Sequence, residues 1–223
     1  QAIAQYSRTV DCFDLDAVEA NPGKRLTAAE IEKMDEYRRY EVTPDGVSPW
    51  AVPGTPGGMN LITGNERNEW GLVSTKPDVR QKMADKRTRK IDEVRSQLPT
   101  GRRFGDQDAE IAVIGIGMQT GVMEEAVERL QSEGLAVSGL QPRTLWPVHE
   151  ETLAFIAGHR CTYIIEHNSE GQLIRLLMGA GAYADRVDSI RKYDGVPFRP
   201  SELVEIIRTR EATAADGKIG NVA

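Results

Sequence analysis

Ile111-Ala-Val-Ile-Gly-Ile-Gly-Met-Gln-Thr-Gly-Val-Met-Glu-Glu-Ala-Val127 reads as a strand, a glycine-rich turn and a helix. Its first residues form a short unbroken apolar run, the pattern of a strand buried on both faces. Working downstream, further strands are expected at 135–140, 161–166 and 187–190, after the first at 111–115. Helices are expected at 121–133, 149–157, 171–178 and 200–209. Pro147 and Pro200 suit the first position of a helix. Strands alternating with helices imply an α/β fold: a small, mostly parallel sheet with helices on both faces.

Gly115-Ile-Gly-Met-Gln-Thr-Gly121 follows a strand and opens a helix, where bare amides and the helix dipole attract phosphate. The spacing is GxGxxxG rather than the dinucleotide-binding GxGxxG, and no acidic residue closes the next strand at Leu140-Gln-Pro-Arg143. Two other readings compete with nucleotide binding. The glycines can serve a tight turn and close helix–strand packing, or the loop can lie against a neighbouring domain. Glu166-His167-Asn168 ends a strand, the place where ligand sites of α/β sheets gather. His167 beside Glu166 could be a base or a ligand, but His149 and His159 are expected near helix ends, with no second ligand at metal-like spacing. An interdomain hydrogen-bond role for Glu166 and Asn168 is favoured.

Upstream, residues 77–98 are expected to form a long helix opened by Pro77. Val79, Met83, Ile91, Val94 and Leu98 make a narrow apolar stripe. Arg80, Lys82, Lys86, Arg87, Arg89 and Lys90 make the rest basic, which reads as a solvated or partner-facing surface. Residues 41–75 are rich in Pro and Gly yet carry Trp50, Val52, Leu61, Ile62 and Trp70. Such residues argue against disorder, so the segment reads as an ordered loop packed over a surface the chain partly lacks. Thr27-Ala-Ala-Glu30 is a capping box opening a helix to about Arg38. Residues 1–17 read as the end of a domain whose body lies elsewhere, and residues 99–109 as a linker. The expected division is 1–100 for the domain end, loop and connecting helix, 108–210 for the α/β domain, and 211–223 for a flexible tail.

The chain has 223 residues and a formal charge of −6, which argues against nucleic acid as a partner. No apolar run approaches the roughly 20 residues that span a bilayer. Cys12 and Cys161 are the only cysteines. They read as buried thiols in a reducing cytoplasm rather than a disulfide. With no CxxC pair, this chain is expected to hold neither a cluster nor structural zinc by itself. Gly-x-Ser-x-Gly, Walker A and HExxH motifs do not occur.

Several stretches in order resemble one family. Gln5-Tyr-Ser-Arg-Thr-Val-Asp-Cys-Phe-Asp-Leu-Asp16 resembles the segment after the last strand of the pyrimidine-binding domain in 2-oxoacid:ferredoxin oxidoreductase α subunits. Tyr40-Glu-Val-Thr-Pro-Asp-Gly-Val-Ser-Pro49 and Pro53-Gly-Thr-Pro-Gly57 resemble that family's next loop, particularly in 2-oxoglutarate-type members. Thr63-Gly-Asn-Glu66 and Lys82-Met-Ala-Asp-Lys-Arg87 continue it. Ile114 to Gly121, Leu145-Trp-Pro147, Glu166 to Leu173 and Lys192-Tyr-Asp-Gly-Val-Pro-Phe198 are similar to core domain II, itself similar to the transketolase C-terminal domain.

The resemblance implies part of an α subunit. In that family a β subunit carries thiamine diphosphate, Mg²⁺ and the cysteines of an iron–sulfur cluster. The complex decarboxylates a 2-oxoacid, transfers the acyl group to CoA and reduces ferredoxin. The activating glutamate lies in the pyrimidine-binding domain, expected upstream of Gln1, so no catalytic, cofactor-binding or metal-binding residue is assigned here and the isolated chain is expected to be inactive. Gly115, Gly117, Gln119, Thr120, Glu166, Asn168 and Gln172 are the expected interface residues. The leading function is docking and assembly within 2-oxoglutarate synthase in the cytoplasm, with the β subunit and ferredoxin as partners and neither nucleic acid nor membrane. The alternatives are a non-catalytic regulatory or scaffolding domain, and a nucleotide-binding oxidoreductase.

Overall fold

The computed structural model describes Ser7 and residues 9–215. The start of the expected domain end and the tail beyond residue 215 lie outside the described residues. Two compact units divide the chain at Gln97.

The first unit, Val10–Gln97, contains strand β1 (Arg25–Leu26), helix α1 (Ala28–Glu32), strand β2 (Trp50–Ala51) and helix α2 (Pro77–Val94). The capping box forms: Thr27 Oγ1 accepts the Glu30 N–H, and Glu30 Oε2 accepts the Thr27 N–H at 2.7 Å. The helix ends at Glu32, short of Arg38, because only Ile31 is buried and no apolar stripe extends it. β1 pairs in parallel with β2, so the Pro/Gly segment is ordered around a two-stranded ladder. Gly46 has φ +71°, and a side chain there would stand 2.5 Å from the carbonyl oxygen of Lys86. That approach seats the Asp45-Gly46 turn on α2. Leu61, Ile62 and Trp70 remain exposed.

The basic helix departs from the sequence expectation. Met83 and Lys86 are buried, whereas Ile91 is exposed. Lys86 Nζ donates to the Tyr40 carbonyl at 3.1 Å and to Ser48 Oγ. Lys82 pairs with Glu69 at 2.5 Å, and Arg87 pairs with Glu66 at 2.8 Å. Half of the supposedly solvated basic face is therefore spent inside the unit. A buried ammonium needs such partners to offset its lost hydration.

The second unit carries a five-stranded sheet in the order β3-β5-β4-β6-β7. Its strands are β3 (Arg102–Gly105), β4 (Ile111–Ile114), β5 (Val137–Gln141), β6 (Cys161–Glu166) and β7 (Val187–Arg191). All pair in parallel except β3, which runs antiparallel along the outer edge of β5. The helices are α3 (Gln119–Ser132), α4 (Glu150–Gly158), α5 (Gln172–Gly179) and α6 (Pro200–Ala215). The expected α/β architecture is present.

Successive strand residues face opposite sides, and the core divides accordingly. Ile111, Val113, Tyr163 and Ile165 pack with Met123 and Leu130 of α3 and Leu203 and Ile207 of α6. Ala112, Ile114 and Ile164 pack with Phe155 and Ile156 of α4 and Leu173 and Leu177 of α5. Each fully buried aliphatic side chain contributes about 1.5–3 kcal/mol.

Two expectations fail here. Residues 99–109 are not simply a linker, because β3 covers the open edge of β5 and Phe104 lies over Gly139, where a side chain would stand 2.1 Å from the ring. The last helix also continues past Thr209 to Ala215. Glu211, placed in a flexible tail by the sequence, is a helix residue that accepts the Tyr163 hydroxyl at 2.7 Å and binds Arg160.

Candidate functional site at the carboxyl edge of the sheet

The chain leaves β4 toward α3 on one face of the sheet and leaves β6 toward α5 on the other. β4 and β6 are neighbours, so their carboxyl ends form a topological switch point, the usual ligand or contact crevice of an open α/β sheet. The turn after β4 brings Gly115, Gly117, Gln119 and Thr120 to this place. The loop after β6 brings Asn168 and Gln172, with Glu166 closing the strand. The sequence-expected residues thus gather on one edge, in two adjacent loops.

The β4 turn is built by close packing. A side chain at Gly115 would meet Met123 Sδ at 2.8 Å. Gly117 adopts φ +60°, which favours glycine. Thr120 Oγ1 donates to the Gly117 carbonyl at 2.8 Å and locks the turn against the helix start. Gln119 and Thr120 are buried. Around Gly121 there is open space, so it does not supply the close helix–strand packing of the third glycine in a dinucleotide fingerprint. The packing favours the tight-turn reading of this motif.

Glu166 is buried and bonded to the loop and helix that follow it. Its Oε2 accepts the Leu173 N–H at 2.7 Å and the Asn168 side-chain amide at 2.8 Å, and its Oε1 accepts the Ile174 N–H at 3.1 Å. Asn168 Oδ1 accepts the N–H groups of Gly171 at 2.7 Å and Gln172 at 3.1 Å. A carboxylate and an amide thereby take up the free donors at the start of α5, where negative charge is favoured. Gly171, at φ +68°, makes the turn into that helix. Gln172 itself is exposed. His167 Nδ1 lies 3.2 Å from the Lys192 carbonyl, and its ring packs on Phe198 with centroids 5.0 Å apart. These contacts tie the β6 loop to the β7 loop.

Exposed apolar side chains flank the switch point. Trp146 follows β5 and is 69% exposed; Tyr193 follows β7 and is also 69% exposed. Both lie in loops after carboxyl ends of parallel strands. The sequence reading missed their placement on either side of β4 and β6, because each looks like an ordinary loop aromatic until the strand order is known.

Elsewhere in this unit, burial pushes the Cys161 thiol up to about 11, aided by the carboxylates of Asp188 and Glu211. Tyr163 is pushed above its ordinary range by burial and by its bond to Glu211. Cys12, read from sequence as buried, is exposed, and both cysteines are free thiols. Among the described residues, no three His, Cys, Asp or Glu side chains gather as a metal-ligand set, and no helix is long and apolar enough to cross a membrane.

Residues 109–203 match the family model for pyruvate:ferredoxin oxidoreductase core domain II. Subunit alpha of 2-oxoacid:ferredoxin oxidoreductase 2 from Aeropyrum pernix is 32% identical over 177 residues, covering 78% of this chain and 27% of the relative. The 2-oxoglutarate oxidoreductase subunit KorA of Mycobacterium tuberculosis is 32% identical over 213 residues, covering 93% of this chain and 31% of the relative. A solved structure of 2-oxoglutarate:ferredoxin oxidoreductase from Magnetococcus marinus, with 2-oxoglutarate, coenzyme A and succinyl-CoA bound, is similar at a TM-score of 0.72 and 30% identity. That likeness covers 80% of this chain and 31% of the other. The chain spans 27% and 31% of the length of these two curated relatives. With the motif order, the core-domain match and the shared architecture in agreement, the chain belongs to the 2-oxoacid:ferredoxin oxidoreductase α-subunit family.

Proposed function

We propose that this chain is part of the α subunit of a 2-oxoglutarate:ferredoxin oxidoreductase, and that the described segment serves docking and assembly. The complex would convert 2-oxoglutarate and CoA to succinyl-CoA and CO₂ while reducing ferredoxin. The substrate reading rests on the resemblance of the Tyr40–Pro49 loop to 2-oxoglutarate-type members, and on relatives whose names specify that acid. In this reading thiamine diphosphate with Mg²⁺ supplies the decarboxylation chemistry and an iron–sulfur cluster the electron transfer, both held with the β subunit. In this reading the glutamate that activates the thiamine belongs to the pyrimidine-binding domain, and this segment is assigned no chemical step.

The observation that carries the docking role is the state of Glu166. A free carboxylate at a switch point would suit acid–base work, but this one is buried and spent on Leu173, Ile174 and Asn168. It positions a loop. Facing outward on this edge are Gln172 and the exposed rings of Trp146 and Tyr193, with the charged Arg143, Glu170 and Asp194 also exposed in the same loops, a mix of aromatic and polar groups suited to an interface. The β subunit is the occupant proposed for this edge, with Gly115, Gly117, Gln119 and Thr120 shaping it, and with Glu166 and Asn168 acting through the loop they hold.

The test is complex formation. In the complete α subunit co-produced with its β subunit, the double substitution Trp146→Ser and Tyr193→Ser should abolish co-elution while leaving the melting temperature of the α subunit unchanged. Full co-elution and unchanged turnover in that variant would remove the edge from the interface.

A further inference from the structure

The first unit encloses a second feature that docking leaves unused. A cavity of about 490 Å³ opens between the 22–50 segment, residues 66–67 and α2. Its walls carry Lys24, Arg39, Arg67, Lys86, Arg87 and Lys90. Two carboxylates answer them: Glu66 pairs with Arg87, and Asp45 pairs with Lys24. Among the described residues, Arg39, Arg67, Lys86 and Lys90 have no carboxylate partner. Glu69, whose charge also acts on Lys86, is taken by Lys82 and Arg38.

Like charges gathered in a concave, partly dehydrated space repel more strongly than on an open surface. Lys86 registers this: burial, then the charges of Arg39 and Lys90, push its ammonium down to about 8. The cations also surround one ring, for Arg39, Arg67 and Lys86 lie 5.3, 4.9 and 5.9 Å from the centre of Tyr40. Trp50 forms another wall, held by its Nε1 donating to the Pro22 carbonyl at 2.9 Å. Mixed Arg and Lys donors suit phosphate oxygens, and the cavity has the size of a small-molecule site.

We propose that this cavity binds a phosphorylated small molecule of about nucleotide size, its phosphates among Arg39, Lys86 and Lys90 and its organic part against Trp50. The site lies within the first unit, and the inference does not depend on the oxidoreductase reading.

Calorimetric titration of the full chain with inorganic pyrophosphate, ADP and adenosine tests it. Pyrophosphate and ADP should bind, adenosine should not, and affinity should fall as salt rises. Arg39→Gln and Lys90→Gln should each weaken pyrophosphate at least about tenfold, the scale of one charge-assisted hydrogen bond, with unchanged melting temperature. Trp50→Phe should weaken ADP more than pyrophosphate. No binding of either probe up to about 1 mM, or equal binding by the Arg39→Gln/Lys90→Gln double variant, would overturn the site. A glutamate-rich peptide that bound through the same residues more tightly than pyrophosphate would overturn it in favour of an acidic protein segment.

Discussion

Glu166 at the end of β6 accepts the backbone N–H of Leu173 at 2.7 Å, so the last residue of a central strand fixes the first turn of the following helix. The same carboxylate also holds Ile174 and Asn168. Glu166→Ala leaves those buried donors unpaired and should cost about 3 kcal/mol in urea unfolding. Glu166→Gln keeps one acceptor oxygen and should cost less. Equal stability of all three proteins would show that the loop is held by something else.

Gly46 stands where any side chain would meet backbone. An added Cβ would lie 2.5 Å from Lys86 O and 2.7 Å from Lys90 N, at a φ of +71°. Neither atom can move without bending α2. Gly46→Ala should destabilise by about 2–4 kcal/mol, combining left-handed strain with overpacking, and thermal unfolding measures it. The same change at Gly54, which has open space around it, should cost only the smaller strain of its positive φ.

Lys86 gives the fold a pH signature. Its ammonium titrates near 8 in the folded protein, lowered by burial and by Arg39, Lys90 and Arg87, with Glu69 acting in the opposite sense. The unfolded lysine titrates near 10.4. Between these values the unfolded chain binds more protons than the folded one, so this group makes stability rise as pH climbs from about 8 to about 10.4. Urea midpoints across that window should rise in the wild type and flatten in Lys86→Met. A phosphate ligand bound beside Lys86 should favour its charged form and move the onset of the rise to higher pH.

The two cysteines should react differently. Cys161, held near 11 by burial and neighbouring carboxylates, is almost wholly protonated at pH 8, whereas Cys12 is exposed. A disulfide reagent should therefore modify Cys12 quickly and Cys161 far more slowly in the native protein. Rapid modification of both in the native protein would contradict the suppressed ionisation of the part-buried Cys161.

Glu211 shows what lies beyond the expected last turn. It accepts the hydroxyl of the buried Tyr163 and pairs with Arg160. Glu211→Ala should destabilise by about 1–2 kcal/mol, the cost of leaving a sheltered hydroxyl without its acceptor. Tyr163→Phe should cost less, since Glu211 keeps Arg160.

The parallel core was legible because its strands are apolar on both faces: Ile111 to Ile114 needs no partner to be recognised. The capping box at Thr27 and Glu30 was legible because its chemistry is local. β3 was not, because an edge strand reading Arg-Arg-Phe-Gly carries one apolar residue, and its pairing with β5 is set by tertiary contact. Lys86 looked like one more cation on a basic face because composition cannot reveal that Tyr40 and Ser48 fold over it. The candidate site was half legible. Gly115 to Thr120 and Glu166 to Gln172 stood out as motifs, but only the strand order placed them side by side and showed that Glu166 bonds its own helix.

The most direct test of the proposed function is reduction of a viologen dye by the complete α subunit assembled with its β subunit, supplied with CoA and either 2-oxoglutarate or pyruvate. Reduction that requires CoA and favours 2-oxoglutarate is the predicted result. An assembled, thiamine-loaded complex that reduces no dye with 2-oxoglutarate, or that works only with pyruvate, would contradict it.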